Sequence, residues 1–146
     1  MSKSNAMENG MLLLFFNNTD FAGIGDAGGL QNSAVAGSLY VSLHTADPGE
    51  AGSQTTNEAN YTGYARVAVA RSGAGWTVAA NAVSNTAAVT FGLCTVGSNT
   101  VTHFGVGTDL AGAGTLLYSG TLTAQLIVNP GITPSFAIGD LDITED

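Results

Sequence analysis

Leu39-Tyr40-Val41-Ser42-Leu43-His44-Thr45-Ala46-Asp47-Pro48 is the stretch on which the fold turns. Leu39, Val41 and Leu43 alternate with Tyr40, Ser42 and His44. A period of two is the pattern of a strand with one face buried. Asp47-Pro48-Gly49 ends it, because proline has no amide to donate and Asp and Gly favour turns. Before the strand lies a glycine-rich arm. After it the chain is a series of short β segments separated by Gly, Asn, Ser and Thr.

Tyr64–Arg71 is the second strong strand, with Val67, Val69 and Arg71 on one face and Arg66, Ala68 and Ala70 on the other. Arg66 reads as an ion pair or a clamp on carbonyls. Trp76-Thr77-Val78 and Ala82-Val83-Ser84 read as short strands across a tight connection at Ala80-Asn81. Trp76, beside a glycine turn, reads as a core lid or an interface anchor. Val89-Thr90-Phe91 and Val101–Gly107 continue the series. Thr115–Thr123 is the longest pattern, and Leu126–Val128 follows a shift, read as a bulge, at Ala124-Gln125. Asn129-Pro130-Gly131 is a turn, and Ser135–Ile138 and Leu141–Thr144 are the last segments, joined at Gly139-Asp140. Short strands at this spacing, with no helical period after residue 38, predict an all-β fold, a sandwich or a barrel, with the antiparallel β-sandwich as the leading reading.

Two other stretches stand out. Asn9–Asn17 predicts a short helix or an apolar plug, apolar on every side. A helix of that length is marginal alone and must bury. The leading reading packs it under its own β domain, and the other docks it on another subunit. Residues 1–8 read as loose. The arm and helix, residues 1–38, are expected to belong to the same unit as the sandwich at 39–146. The polar connection Asp47–Thr62 is longer than most structureless loops in compact domains, and such loops are often binding segments. It is the candidate contact loop, kept hydrophilic by Glu50 and Glu58.

Composition narrows the functions. Only 10% of the 146 residues are charged, and the net charge is −8 from 11 acidic and 3 basic residues. Phosphate backbones need several cations, so nucleic acid is not an expected partner, and an anionic membrane surface should repel the chain. Met11–Phe16 is too short to span a membrane, which needs about 20 apolar residues. Cys94 is the only cysteine and reads as a small buried hydrophobe, with no base or second thiol to mark it as reactive.

The chemistry-bearing motifs are weak. Gly23-Ile24-Gly25-Asp26-Ala27-Gly28 matches the dinucleotide pattern in letters, but no strand leads into it and no helix opens from it. It reads as a flexible loop. His44 with Asp47 and His103 with Asp109 could form a metal site only if the fold made them converge. Asp140 and Asp142 share a strand face without a calcium-loop pattern. Neither a nucleophile elbow nor a P-loop is present. No catalytic residue, cofactor or metal is expected.

Leu39–Gly52, Tyr61-Thr62-Gly63-Tyr64-Ala65-Arg66-Val67-Ala68-Val69, Val101-Thr102-His103-Phe104-Gly105-Val106-Gly107, Leu116-Leu117-Tyr118-Ser119-Gly120 and the Ile143-Thr144-Glu145-Asp146 end occur in an order that resembles a family of small tailed-phage virion structural proteins, often labelled tail fibre-like. The resemblance runs from about Met11 to the end. It implies a non-enzymatic virion protein, assembled in the host cytoplasm. By analogy the sandwich would be a jelly roll. The leading role it implies is a capsid decoration, or cement, protein on the capsid exterior. As a homotrimer it would bind the major capsid protein lattice. The alternative is a tail-fibre or neck component that binds the host surface, with exposed aromatics such as Trp76, Tyr61 and Tyr64 recognising carbohydrate. Contacts are expected from Met11–Ser38 and Asp47–Thr62. The interface candidates are Leu12, Phe15 and Phe16 on the helix, Glu50, Glu58, Tyr61 and Tyr64 in and beside the loop, and Arg66 and Trp76.

Overall fold

The computed structural model describes residues 2–145. Helix α1 (Asn5–Asn17) precedes strands β1 (Ser38–His44), β2 (Val67–Ala70), β3 (Trp76–Ala79), β4 (Ala82–Asn85), β5 (Val89–Thr90), β6 (Asn99–Gly107), β7 (Leu116–Val128), β8 (Ser135–Phe136) and β9 (Asp142–Thr144). The β1–β6, β6–β7, β3–β4, β4–β9 and β5–β8 pairs are all antiparallel. The chain is an all-β antiparallel protein with one short N-terminal helix, as its periodicity predicts. It divides into two compact units.

The first unit joins the chain up to Ser38 to Ala70–Ala88 and to the end from Ala137. Its sheet has the order β3-β4-β9, and α1 packs on β3 and β4. The helix starts four residues before the expected Asn9. Ser4 is the reason: its hydroxyl accepts from the Met7 amide, and Glu8 sits in the first turn, where the helix dipole favours a negative charge. Of the residues expected to be loose, Ser4 is the cap and residues 5–8 are the first turn. Leu12 and Phe16, one turn apart, are fully buried. The rings of Phe16 and Trp76, the latter also fully buried, meet edge to face at 4.9 Å and 70°. The helix packs within its own chain, the leading of the two readings.

At the other end of α1, Arg71 donates to the carbonyls of Leu14 and Phe15, both at 2.7 Å, and to that of Ala36 at 3.1 Å. A guanidinium here satisfies helix-end carbonyls and complements the negative end of the dipole. The arm then turns on itself. Asp26 accepts from the amides of Gly28 at 2.8 Å and Gly29 at 3.0 Å, so the amides that a phosphate would need are already taken. The β3–β4 hairpin closes through Ala80-Asn81, with Ala80 at φ 55°. Buried Asn85 fastens the C-terminal segment: its oxygen accepts from Leu141 at 2.9 Å, and its amide donates to Ala87 at 2.8 Å and Ala137 at 2.7 Å.

The second unit holds Leu39–Val69 and Val89–Phe136. Its main sheet has the order β2-β1-β6-β7, and the β5-β8 ribbon is a separate pair of strands. Leu43 pairs with Phe104 and Val41 with Val106, so the buried set of β1 meets the buried set of β6. Phe104 touches Phe136 of the ribbon at 6.2 Å, and Phe136 touches Phe91 at 6.0 Å. Tyr64 stacks on Phe91 at 6.1 Å. The result is an uneven sandwich of a four-stranded sheet and a two-stranded ribbon.

Two local features shape it. Val101 pairs with Leu126, and His103 with Thr121, so Leu122–Gln125 face Thr102 alone. This bulge contains the shift expected at Ala124-Gln125. The ladder resumes beyond it, which makes Thr115–Thr123 and Leu126–Val128 one strand rather than two. Near the ribbon, a Cβ on Gly63 (φ 104°) would collide with the Leu93 carbonyl, and a Cβ on Gly92 with that of Gly63. Only glycine lets the two backbones pass this closely. Cys94 is fully buried, with Sγ 3.5 Å from the Gly97 carbonyl.

Candidate interaction surface

The second face of β1 was expected to be polar and open, yet Ser42 and His44 are fully buried. The cover comes from the 47–62 loop, which folds back over them. His44 Nδ1 lies 2.8 Å from the Thr56 carbonyl, and Nε2 lies 2.8 Å from Ser42 Oγ. A carbonyl can only accept, so Nδ1 carries the proton and Nε2 accepts from the serine hydroxyl. Burial pushes the His44 pKa below its ordinary 6.5, with the neighbouring Arg66 and His103 adding to that and the Thr56 and Glu58 oxygens opposing it.

A pH dependence follows. The unfolded chain takes up the proton near pH 6.5, whereas the folded chain resists it to lower pH. Below about 6.5 the unfolded state therefore binds more protons, and stability falls as pH falls. Denaturant unfolding between pH 7 and pH 5 should show this loss, and His44→Gln should flatten it. An equal slope in both proteins would exclude His44 as its source.

Beside this pair, Arg66 holds three parts of the chain. Its Nε and Nη2 meet the two carboxylate oxygens of Glu58 at 2.7 and 2.8 Å. Nη1 donates to the Asp109 carbonyl at 2.9 Å and Nη2 to that of Gly112 at 2.8 Å. Arg66 is thus both the ion pair and the carbonyl clamp its sequence position predicts, and Glu58 raises its already high pKa. Tyr64 donates to Glu58 at 2.8 Å and accepts from the Leu43 amide at 3.1 Å; burial pushes its pKa far up.

Gln54 makes a second tie that the sequence does not announce. It is fully buried. Its backbone N–H donates to the Ala113 carbonyl at 2.9 Å, and its side-chain oxygen accepts from the Asp109 amide at 2.9 Å. The 47–62 loop is therefore a strap with a fixed root. Its tip, Asp47 and Gly49–Ala51, is exposed. Between the tip and β7 runs an open groove of about 460 Å³, lined by Asp47, Glu50, His103, Leu116, Tyr118 and Thr121 among others. His103 is held by hydroxyls, Thr102 at 2.9 Å and Thr121 at 3.1 Å.

The expected interface residues fall into three groups. Leu12, Phe16 and Trp76 are core of the first unit, and Tyr61 and Arg66 are buried in the second. Glu58 and Tyr64 are half-buried and tied to Arg66 and each other. Phe15, 37% exposed, and Glu50 reach solvent. The aromatics expected to face carbohydrate do not face outward: Trp76 is 0% and Tyr61 3% exposed, because one fills the space under α1 and the other packs against Tyr64. His44 and His103 are opposite each other on β1 and β6, but among the described residues no group of three metal-ligating side chains forms. Asp140 is occupied by the Ala137 amide at 2.8 Å.

No helix among the described residues is long and apolar enough to cross a membrane. No curated protein matches the chain. The sequence model of one family does, over residues 2–144; it is described as podophage GP4 fiber I protein gp80. That span, nearly the whole chain, agrees with the resemblance to phage virion structural proteins. On it the chain belongs to the podophage GP4 fiber I protein gp80 family.

Proposed function

We propose that this protein is a non-enzymatic, fibre-type structural component of a phage virion, which works by binding other virion chains. The observation that carries the reading is the family match from residue 2 to residue 144. The side chains support it. The groups that could do chemistry are spent on structure: His44 on Thr56 and Ser42, Arg66 on Glu58 and two carbonyls, His103 on two threonines. The fibre reading is preferred to capsid decoration because the family description names a fibre protein and no observation favours the capsid lattice.

The test is the number of copies per particle, measured by quantitative mass spectrometry of purified virions against the major capsid protein. A few to a few dozen copies is the expected result. A ratio near one to one would overturn the fibre reading and make the protein a lattice component. Deleting residues 1–38 is a poor substitute, since it removes Leu12 and Phe16 from the core and would abolish binding by unfolding.

A further inference from the structure

The groove between the strap tip and β7 carries two carboxylates on one wall. Asp47 and Glu50 line it there, and His103, Leu116, Leu117 and Thr121 line it on the strand side. Both walls belong to the second unit. The strap wall is fixed by its own bonds. The Asp47 carbonyl accepts from Asn57 Nδ2 at 3.0 Å, and the Asp47 carboxylate accepts from the Gly49 amide at 2.8 Å. Glu50 sits in the turn that the Gly52 amide closes on the Gly49 carbonyl at 3.0 Å.

The polar groups of the groove are unequally spent. Both ring nitrogens of His103 are held by hydroxyls. One oxygen of Asp47 is taken by Gly49. The Glu50 carboxylate has no partner among the described residues. Two like charges thus line one cleft, and a cleft of one sign focuses its field on whatever enters. The chain has no cation to answer them. Lys3 pairs with Glu145, Arg66 with Glu58, and Arg71 is held by the carbonyls of Leu14 and Phe15. These are its three basic residues. A second copy in the same fold has none to offer either. Beside the carboxylates the lining is aliphatic, at Leu116 and at Leu117, which is 39% exposed.

We propose that this groove receives a lysine or arginine side chain of a different virion chain, its charged head at Asp47 and Glu50 and its stem along Leu116 and Leu117. The proposal rests on the reading that the protein works by binding other virion chains. Lysine and arginine lay their methylene stems on apolar surface and keep the charged head among polar groups, and the groove presents its groups in that order. A divalent cation would leave the leucines unused, and among the described residues no third ligand joins the two acids. A neutral sugar would leave the charge unanswered. The strap wall is already formed, so docking has little of it left to order.

Titration followed by amide chemical shifts tests the groove itself. The probes are end-capped Gly-Lys-Gly and Gly-Arg-Gly, with Gly-norleucine-Gly as the uncharged match and maltotriose as the neutral sugar. The charged probes should move the amides of residues 49–52 and 118–121 most. In the double variant Asp47→Asn, Glu50→Gln their affinity should fall about threefold or more, the contribution of two exposed ion pairs. Both side chains are exposed and keep their shape, so amides elsewhere should stay in place and report an intact fold. Raising the ionic strength from about 0.1 to about 1 M should weaken binding to the wild type as well. In purified virions, the double variant should be depleted by a similar factor relative to the wild type. Charged probes that leave the groove amides unmoved overturn the proposal. So does equal affinity in the double variant, a norleucine peptide or maltotriose that binds in the groove as well as the charged probes, or undiminished incorporation of the variant. A wild-type copy number near that of the major capsid protein would overturn the fibre reading and not the groove, which the titration judges separately.

Discussion

Arg66→Ala is expected to destabilise the protein by about 3–5 kcal/mol, the usual cost of removing one partner from a buried ion pair. The Arg66 side chain is 3% exposed and that of Glu58 16%. Without the guanidinium, the half-buried Glu58 carboxylate keeps one donor, the Tyr64 hydroxyl at 2.8 Å. The carbonyls of Asp109 and Gly112 lose their donors too, but these residues are exposed and water can replace them. Most of the loss therefore belongs to the stranded carboxylate. This makes a sharper expectation: replacing both partners with apolar groups, Arg66→Met with Glu58→Met, should cost clearly less than the sum of the two single changes. Urea unfolding of the four proteins closes the cycle. A loss under about 1 kcal/mol for Arg66→Ala would show that the pair behaves like a surface salt bridge. Hydrogen exchange should also change locally, with faster exchange at Asp109, whose amide is held by Gln54 next to the clamp.

Arg66 is also a measure of what the sequence could say. An arginine in a small-residue strand, in a chain with only 3 basic residues against 11 acidic ones, had few ways to be satisfied, so its type of role was legible. Its partners were not. Asp109 and Gly112 lie 43 and 46 residues away, and nothing local specifies that distance. The same division runs through the fold. Alternation located β1, the β3–β4 hairpin and the phase shift in β7, because pleat and turn chemistry act over a few residues. It did not locate the burial of Ser42 and His44, whose cover is the main chain of Thr56, or the role of Gln54, one polar residue among many in a polar loop. Helix α1 shows both limits together. Its apolar run was plain, whereas its first turn depended on one serine, Ser4, in a segment with no hydrophobic period.

Trp76→Ala is expected to cost about 3–5 kcal/mol, the range for truncating a large buried aromatic. Trp76 is 0% exposed, and its indole nitrogen has no hydrogen-bond acceptor among the described residues. The loss is therefore one of packing, with no polar bond to forfeit. Trp76→Phe separates these contributions: it vacates less volume and also removes the unpaired N–H, so it should be much milder. Truncation should act first on α1. A helix of 13 residues is marginal by itself, and its buried contact with the sheet includes the edge-to-face pair of Phe16 and Trp76 at 4.9 Å. Phe16→Ala should weaken the same place, and the two changes together should cost less than their sum, since each removes the other's partner. Protection from hydrogen exchange over Asn5–Asn17 should fall in both single variants, and far-ultraviolet dichroism should lose helical signal before strand signal as denaturant is added. If the helix amides stay protected in Trp76→Ala while the β3–β4 hairpin opens, α1 is anchored elsewhere. The Arg71 bonds to Leu14 and Phe15 would then be the anchor to test next, by Arg71→Met.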